Sequence, residues 1–116
     1  MSGGGSGDSS GWRPSESAAG GGAPNADPCD IIEVTILNSP DSTVLAGLSK
    51  GNLLDVVYQA GPPQQLLAEV HGQKAGSITS PSMLQIIRCI TTQGRQYVAE
   101  VIKVSGAICQ VRVRPK

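Results

Sequence analysis

From Ile31 onward the sequence consists of short segments rich in β-branched residues, with turn residues between them. β-Branched side chains fit the pleated backbone of a strand, and the glycines and prolines between segments stop each strand after a few residues. The predicted strands cover residues 31–37, 53–59, 66–70, 74–79, 97–104 and 108–114. The sequence therefore predicts a sheet of six short strands.

Alternation along the first strand separates its apolar side chains from its polar ones. Ile32, Val34 and Ile36 share one face, whereas Glu33 and Thr35 share the other. A period of two residues is typical of a strand that buries one face and leaves the other in solvent. The pattern therefore predicts a half-buried strand.

One segment between the strands has helical periodicity. Its apolar residues recur at i, i+3, i+4 and i+7, as in an amphipathic helix. They are Met83, Ile86, Ile87 and Ile90. Ser80 is predicted to cap free N–H groups, and Pro81 suits the first helical position because that position needs no donor. Gly94 stands where a glycine typically ends a helix, so we expect one helix over about residues 81–92.

The order of these elements is β-β-β-β-α-β-β, which predicts an α+β fold that is mainly β. We expect a small curled sheet or a partly open barrel, with the helix over an open end. The chain has no Phe, one Trp and two Tyr, so the core must be aliphatic. Residues 43–48 fit either a helical turn or a strand, and His71-Gly72 is predicted to form a tight turn.

The first 29 residues differ in composition from the rest. Eight are Gly, six are Ser and three are Pro, so they hold too little apolar surface to offset the entropy of ordering. The sequence predicts a disordered tail over residues 1–29 and a single β-rich domain over residues 30–116. Within the tail, Trp12 is either a docking residue or a stray aromatic side chain in a linker.

Three cysteines, at positions 29, 89 and 109, show none of the close spacings of metal ligands or redox motifs. Their odd number and wide separation favour reduced thiols, and Cys89 is predicted to be an inert core residue. We therefore expect a cytoplasmic protein without a bound metal. No segment has the roughly 18 apolar residues of a membrane span, so no membrane association is expected.

The sequence contains no arrangement typical of catalysis. His71 is the only histidine and lies in a predicted turn, and the serines lack a nucleophile-elbow pattern. No phosphate-binding loop or dinucleotide motif is present. These observations favour a binding module over an enzyme, and no small-molecule cofactor is expected.

Basic residues concentrate in the second half of the chain, where residues 56–116 contain seven Lys or Arg and two Glu. In the last strand Arg112 and Arg114 share a face, which Lys116 and Lys103 could extend. Such a face either contacts the phosphates of a nucleic acid or keeps an edge strand soluble. Few aromatic side chains are available to stack on bases, Tyr58 being one of them.

The segments from position 48 to 114 resemble the HIRAN domain, a small β-barrel with a helix that occurs in DNA-repair and helicase-associated proteins. The likeness consists of Leu48–Tyr58 (LSKGNLLDVVY), Leu66–Ile78 (LLAEVHGQKAGSI), the helix, Tyr97–Val104 (YVAEVIKV) and Val111–Val113 (VRV). This resemblance implies binding of single-stranded DNA, notably of 3′ ends. It places Tyr58, Lys74 and the residues around Ser77 nearest to the family's pocket. The family's Asn-Pro-Tyr-Asp-like segment is replaced here by Gln59–Gln64 (QAGPPQ).

Three functions are compatible with these observations. The first is a non-catalytic module that contacts single-stranded nucleic acid through a basic strand face. The second is a protein-interaction adaptor that uses an exposed sheet edge or Trp12. The third is an enzyme fragment or subunit that needs another chain. The predicted nucleic-acid-binding residues are Arg112, Arg114, Lys116, Lys103, Lys74 and Tyr58.

Overall fold

The structure is a computed structural model, and it describes residues 27–116. It contains six strands and two helices. The strands are β1 (Glu33–Ile36), β2 (Leu53–Gln59), β3 (Gln65–Val70), β4 (Gln73–Ile78), β5 (Tyr97–Ser105) and β6 (Ile108–Pro115). The helices are α1 (Ser42–Leu45) and α2 (Met83–Gln93). The predicted order of elements is confirmed, and the segment that the sequence left ambiguous forms the short helix α1.

All six strands belong to one antiparallel sheet in the order β1-β6-β5-β2-β3-β4. The sheet curls until the chain after β1 reaches β4, where Asn38 and Ser77 exchange two backbone hydrogen bonds of 2.8 and 2.9 Å. This crossing is close, because a Cβ on Gly76 would lie 2.9 Å from the Cβ of Leu37. The fold is thus the curled, partly open barrel that the sequence predicts.

The turn between β3 and β4 contains two residues. His71 has a φ of +52° and Gly72 a φ of +77°, the two positive values that a type I′ hairpin turn needs. Val70 pairs with Gln73 across the turn. The predicted tight turn is confirmed, and the exposed His71 side chain lies at its tip.

The core lies inside the curled sheet and includes side chains from α2. On β6, Cys109, Val111 and Val113 all lie inside and alternate with the two arginines that the sequence predicts on one face. From α2, Ile86 and Ile87 join them, while Met83 and Ile90 pack at the margin. Burial of these aliphatic side chains makes the main favourable contribution to the free energy of folding in a domain of this size.

Helix α2 begins later than predicted. Its N-cap is Ser82 rather than Ser80, and no side chain caps its backbone N–H groups. The N–H of Met83 bonds to the carbonyl of Ser80, so a turn precedes the helix, and the buried hydroxyl of Ser80 has no partner among the described residues. The end is as predicted, since Gly94 adopts the left-handed conformation.

Strand β1 alternates as predicted but with its faces inverted. In a half-buried strand the apolar face should be inside, yet Ile32, Val34 and Ile36 are 69, 50 and 52% exposed. Glu33 and Thr35 are less exposed than these neighbours and lie on the inner side, opposite the buried residues of β6. The physical reason is the register with β6, because a shift of one residue exchanges the two faces of a strand.

The N-terminal boundary of the packed region also differs from the prediction. Cys29 is fully buried and forms a disulfide bond with Cys89, so residues 27–29 belong to the packed domain and not to the tail. The prediction of three reduced thiols is therefore wrong, although Cys109 is free and buried. Distant cysteines gave no spacing signal because folding, not sequence proximity, brings them together. The rest of the predicted tail, including Trp12, lies outside the described residues.

Candidate interaction surface on the outer face

The outer face of strands β1, β6 and β5 brings together apolar and charged side chains from distant parts of the chain. In the antiparallel registers, Val34 lies opposite Arg112, Arg112 opposite Glu100 and Glu100 opposite Leu53 of β2. Residues directly opposite one another in such pairs have their side chains on the same face. This row crosses four strands of the sheet.

An apolar ridge formed by Ile32, Val34 and Ile36 borders the surface at β1. Each of these side chains is at least half exposed, as are Ile108 on the adjacent strand β6 and Leu53 on β2, each 53% exposed. Single exposed aliphatic residues are common, whereas several on adjacent positions form a patch that marks an interaction site. The inverted face of β1 therefore defines a candidate docking surface.

Two arginines beside the ridge share one carboxylate. A nitrogen of Arg112 lies 3.6 Å from Oε1 of Glu100, and Nε of Arg114 lies 3.7 Å from the same oxygen. All three side chains are a third or more exposed, so these ion pairs contribute little to stability in water. The outer face retains an excess of positive charge that a partner could use.

Lys103 adds to this charge. The pairing of β5 with β6 shifts between Val101 and Lys103, which places Lys103 opposite Gln110. Gln110 is two residues from Arg112 on β6, so Lys103 and the arginines share the outer face. The structure thus brings together three of the six predicted site residues, namely Arg112, Arg114 and Lys103.

The other three predicted site residues lie elsewhere. Lys74 is on β4, four strands from β6 in the sheet, and it lies opposite Glu69 of β3 in the pairing register. Tyr58 and Lys116 line a separate open groove of about 600 Å³ between the end of α2 and the start of β5. The Tyr58 hydroxyl donates to Oε1 of Gln64 at 3.3 Å. The six residues therefore do not form one continuous patch.

A cluster at the same groove fixes the N-terminal segment in place. Arg95 donates to Asp27 at 2.6 Å and to Asp30 at 2.9 Å. A hydrogen bond from the backbone N–H of Cys29 and the Arg95 guanidinium lower the pKa of the Asp27 carboxyl. The buried Tyr97 hydroxyl donates to the carbonyl of Cys29, and burial raises the pKa of this phenol. These groups hold the chain before β1 and are structural in character.

Polar groups also meet on the inner side of β1. Oε2 of Glu33 accepts a hydrogen bond of 3.3 Å from the Ser82 hydroxyl, whereas its Oε1 is buried without a partner among the described residues. Sequence reasoning missed this contact because alternation places Glu33 and Thr35 on one face without indicating what that face meets. No local signal could have found it, since Ser82 is 49 residues away in the chain.

Comparison with known proteins identifies no similar protein. No family model matches this chain, and neither a curated protein nor a solved structure matches it. Within residues 27–116, no group of three His, Cys, Asp or Glu side chains is placed to hold a metal ion. None of the helices in that range is long and apolar enough to cross a membrane. The likeness to the HIRAN domain stays a prediction from sequence.

Proposed function

We propose that this domain is a non-catalytic protein-interaction module that binds a partner on the outer face of β1, β6 and β5. The observation that carries this proposal is the inverted alternation of β1, which leaves Ile32, Val34 and Ile36 exposed beside Arg112 and Arg114. Protein interfaces combine an apolar centre with arginines and a polar rim. The outer face has each of these parts.

The same face is less suited to single-stranded nucleic acid. Stacking platforms for unpaired bases need aromatic side chains, and the outer faces of β1, β6 and β5 carry none within the described chain. The two arginines also share Glu100, which competes with phosphate for their guanidinium groups. These features favour a protein partner over a nucleic acid.

A selection experiment tests the protein-interaction proposal. A random peptide library is displayed against the oxidised domain and, in parallel, against the variant in which Ile32, Val34 and Ile36 are all threonine. We expect enriched peptides to bind the triple variant at least about tenfold more weakly, because the exposed apolar ridge of the surface is lost. Circular dichroism checks that the variant is folded.

Leu84→Thr provides the matched control for this selection. Leu84 is 59% exposed on α2, so the substitution removes an equally exposed aliphatic side chain from another part of the surface. Affinity of the enriched peptides for this variant should match the wild type. Absence of enrichment, or equal binding to the triple variant, would contradict the proposal.

A second candidate function is binding of single-stranded nucleic acid, as the HIRAN resemblance implies. The observation that favours it is the shared outer face of Arg112, Arg114 and Lys103. Fluorescence anisotropy with a short oligothymidylate at about 50 mM salt tests it, because phosphate contacts are strongest at low salt. Arg112→Glu combined with Arg114→Glu should abolish binding, whereas Arg88→Glu on α2 should not.

A cytoplasmic location was predicted from reduced thiols, and the bond between Cys29 and Cys89 removes that support. Disulfide bonds persist mainly in oxidising compartments. Alkylation of the protein as it is isolated from cells, followed by mass spectrometry, tests the location. After unfolding without reductant, alkylation at all three cysteines would support the cytoplasm, whereas alkylation at Cys109 alone would support an oxidising compartment.

A further inference from the structure

Backbone groups on the free side of β1 have no partner strand within residues 27–116. The N–H of Leu37 bonds to Cys109 on β6 at 2.9 Å, whereas the N–H of Asn38 bonds to Ser77 on β4 at 2.8 Å. Successive residues of an antiparallel strand direct their hydrogen-bonding groups to opposite sides. Val34 and Ile36 therefore direct their N–H and C=O groups away from β6.

The chain of β4 does not continue alongside these groups. Beyond Asn38 and Ser77 no further backbone bridge joins the two described segments, since β4 ends at Ile78, and Ser82 contacts β1 only through its hydrogen bond to the Glu33 side chain. β1 is consequently an edge of the sheet, and no described strand pairs with its free side. Asn38, two residues after β1 ends, already forms a backbone bridge with Ser77, so the backbone at this edge has the geometry for pairing.

Protective features of the usual kind are few on this edge. Edge strands commonly carry outward-pointing charges or a proline, which prevent pairing with another chain. The outward side chains of β1 and its flank are Ile32, Val34 and Ile36, and β1 contains no proline. The one protective feature in β1 is the inward-pointing charge of Glu33, whose carboxylate accepts a hydrogen bond from Ser82. Such an edge accepts an extended segment.

We propose that β1 binds a partner by strand addition and that this partner is an extended, antiparallel segment with aliphatic and acidic side chains on its outer face. Residues opposite Val34 and Ile36 would exchange backbone hydrogen bonds with them and place their side chains beside the ridge. Strands are about 4.8 Å apart, so a glutamate on the added strand lies roughly 10 Å from the Arg112 backbone. Two extended side chains span that distance.

Charge on the outer face identifies the acidic component. Arg112, Arg114 and Lys103 share this face, and Glu100 is the carboxylate that pairs with both arginines. An acidic residue on the partner would balance the remaining positive charge, whereas a basic residue would add to it. This inference rests on the proposed function, because it specifies the kind of protein segment that the outer face binds.

A defined peptide serves as the probe. The acetylated and amidated peptide Thr-Val-Thr-Glu-Thr-Val-Thr places Val, Glu and Val on one face of a strand and threonines on the other. We follow its binding to the oxidised domain by NMR, and we expect saturable shift changes that are largest at Val34 and Ile36. Exchange of the amide protons of these two residues should slow when the peptide is bound.

Backbone methylation of the peptide distinguishes strand addition from other binding modes. In the antiparallel register, the N–H groups of Val and Glu point to β1 and those of the threonines point away. N-Methylation of the Val and Glu residues should weaken binding at least about tenfold, and N-methylation of two interior threonines should not. Equal affinity of both methylated peptides would overturn the proposal, and so would loss of binding only on threonine methylation.

Charge reversal provides the second discrimination. Replacing Glu by Lys in the peptide should weaken binding several-fold, and Arg112→Glu with Arg114→Glu in the domain should partly restore binding of that lysine peptide. Arg88→Glu should restore nothing. If the probe does not bind while the library selection still yields peptides that depend on the ridge, strand addition fails and the interaction function stands. If the selection also fails, both are refuted.

Discussion

Strands β1 and β6 lie side by side, and both alternate regularly between apolar and polar residues, yet they bury opposite faces of that pattern. On β6 the apolar Val111 is fully buried and Arg112 is exposed. On β1 the apolar Val34 is half exposed and Glu33 lies inside. The comparison teaches that alternation predicts the period of a strand, whereas cross-strand register decides which face is inside.

Two contacts explain why the register of β1 favours the inverted arrangement. The Ser82 hydroxyl donates to Glu33 on the inner side, so the carboxylate has a partner there. The disulfide between Cys29 and Cys89 fixes the chain a few residues before β1 begins. A strand that is anchored at one end and paired with β6 on one side cannot slip by a single residue without losing these contacts.

The largest expected effect comes from placing the same charge on each strand. Val111→Asp should unfold the domain, because an unpaired carboxylate in the core costs several kcal/mol. Val34→Asp should change the free energy of unfolding by less than about 1 kcal/mol, since its side chain is half exposed. Urea titrations followed by circular dichroism measure both. Comparable destabilisation by the two substitutions would mean that β1 is not inverted.

The disulfide should have the next largest effect, and it should act mainly on β1. Replacing Cys29 and Cys89 together by alanine should lower the free energy of unfolding by about 2–4 kcal/mol, because the bond closes a loop with a separation of 60 residues. Amide exchange should accelerate in β1 before β6. Cys109→Ala, which keeps the bond, is the control and should cost about 1 kcal/mol. Identical urea midpoints with and without reductant would argue against this anchor.

Replacing Glu33 should have a smaller effect on stability, and it should stabilise the domain. Glu33→Met should raise the free energy of unfolding by about 1 kcal/mol, because Oε1 is buried without a partner and an apolar side chain removes that penalty. The same substitution should increase self-association, since it removes the inward charge of an edge strand. Glu69→Met on β3 is the matched control. A clear loss of stability in Glu33→Met would show that the bond to Ser82 dominates.

The smallest expected effect concerns Asp27, which anchors the segment before β1. Its pKa is lowered from the ordinary 3.8 by the Cys29 N–H and by Arg95. A lowered pKa in the folded state means that Asp27 adds stability above about pH 3.8 and that this contribution is lost as the pH falls through the lower value. NMR titration of the carboxyl carbon should give a midpoint below 3.8, and Arg95→Gln should raise it. A wild-type midpoint at 3.8 or higher would contradict this.

Most of the fold could be predicted from sequence because its signals are local. The apolar stripe from Met83 to Ile90 and the terminal Gly94 identify α2, and the His71-Gly72 pair identifies a hairpin. The remaining features depend on residues far apart in the chain. Neither the bond from Cys29 to Cys89 nor the bridge from Asn38 to Ser77 has a local signature.

The candidate surface was predictable only in part for the same reason. Alternation correctly placed Arg112 and Arg114 on one outward face. Their shared partner Glu100 comes from the strand next to them, and the pairing register that brings it close is not encoded in either strand alone. The ridge on β1 was assigned to a half-buried strand because the periodicity of a strand does not indicate its inner side.

The pairing of β1 with β6 has a consequence for synthesis on the ribosome. Glu33 pairs with Val113, so β1, the first of the described strands, has to wait for β6, the last of them, before it can join the sheet. Until β6 has been synthesised, β1 lacks its partner strand on the nascent chain, and unpaired aliphatic segments are prone to associate with other chains. During synthesis the aliphatic strand β1 is therefore exposed for as long as the sheet is incomplete.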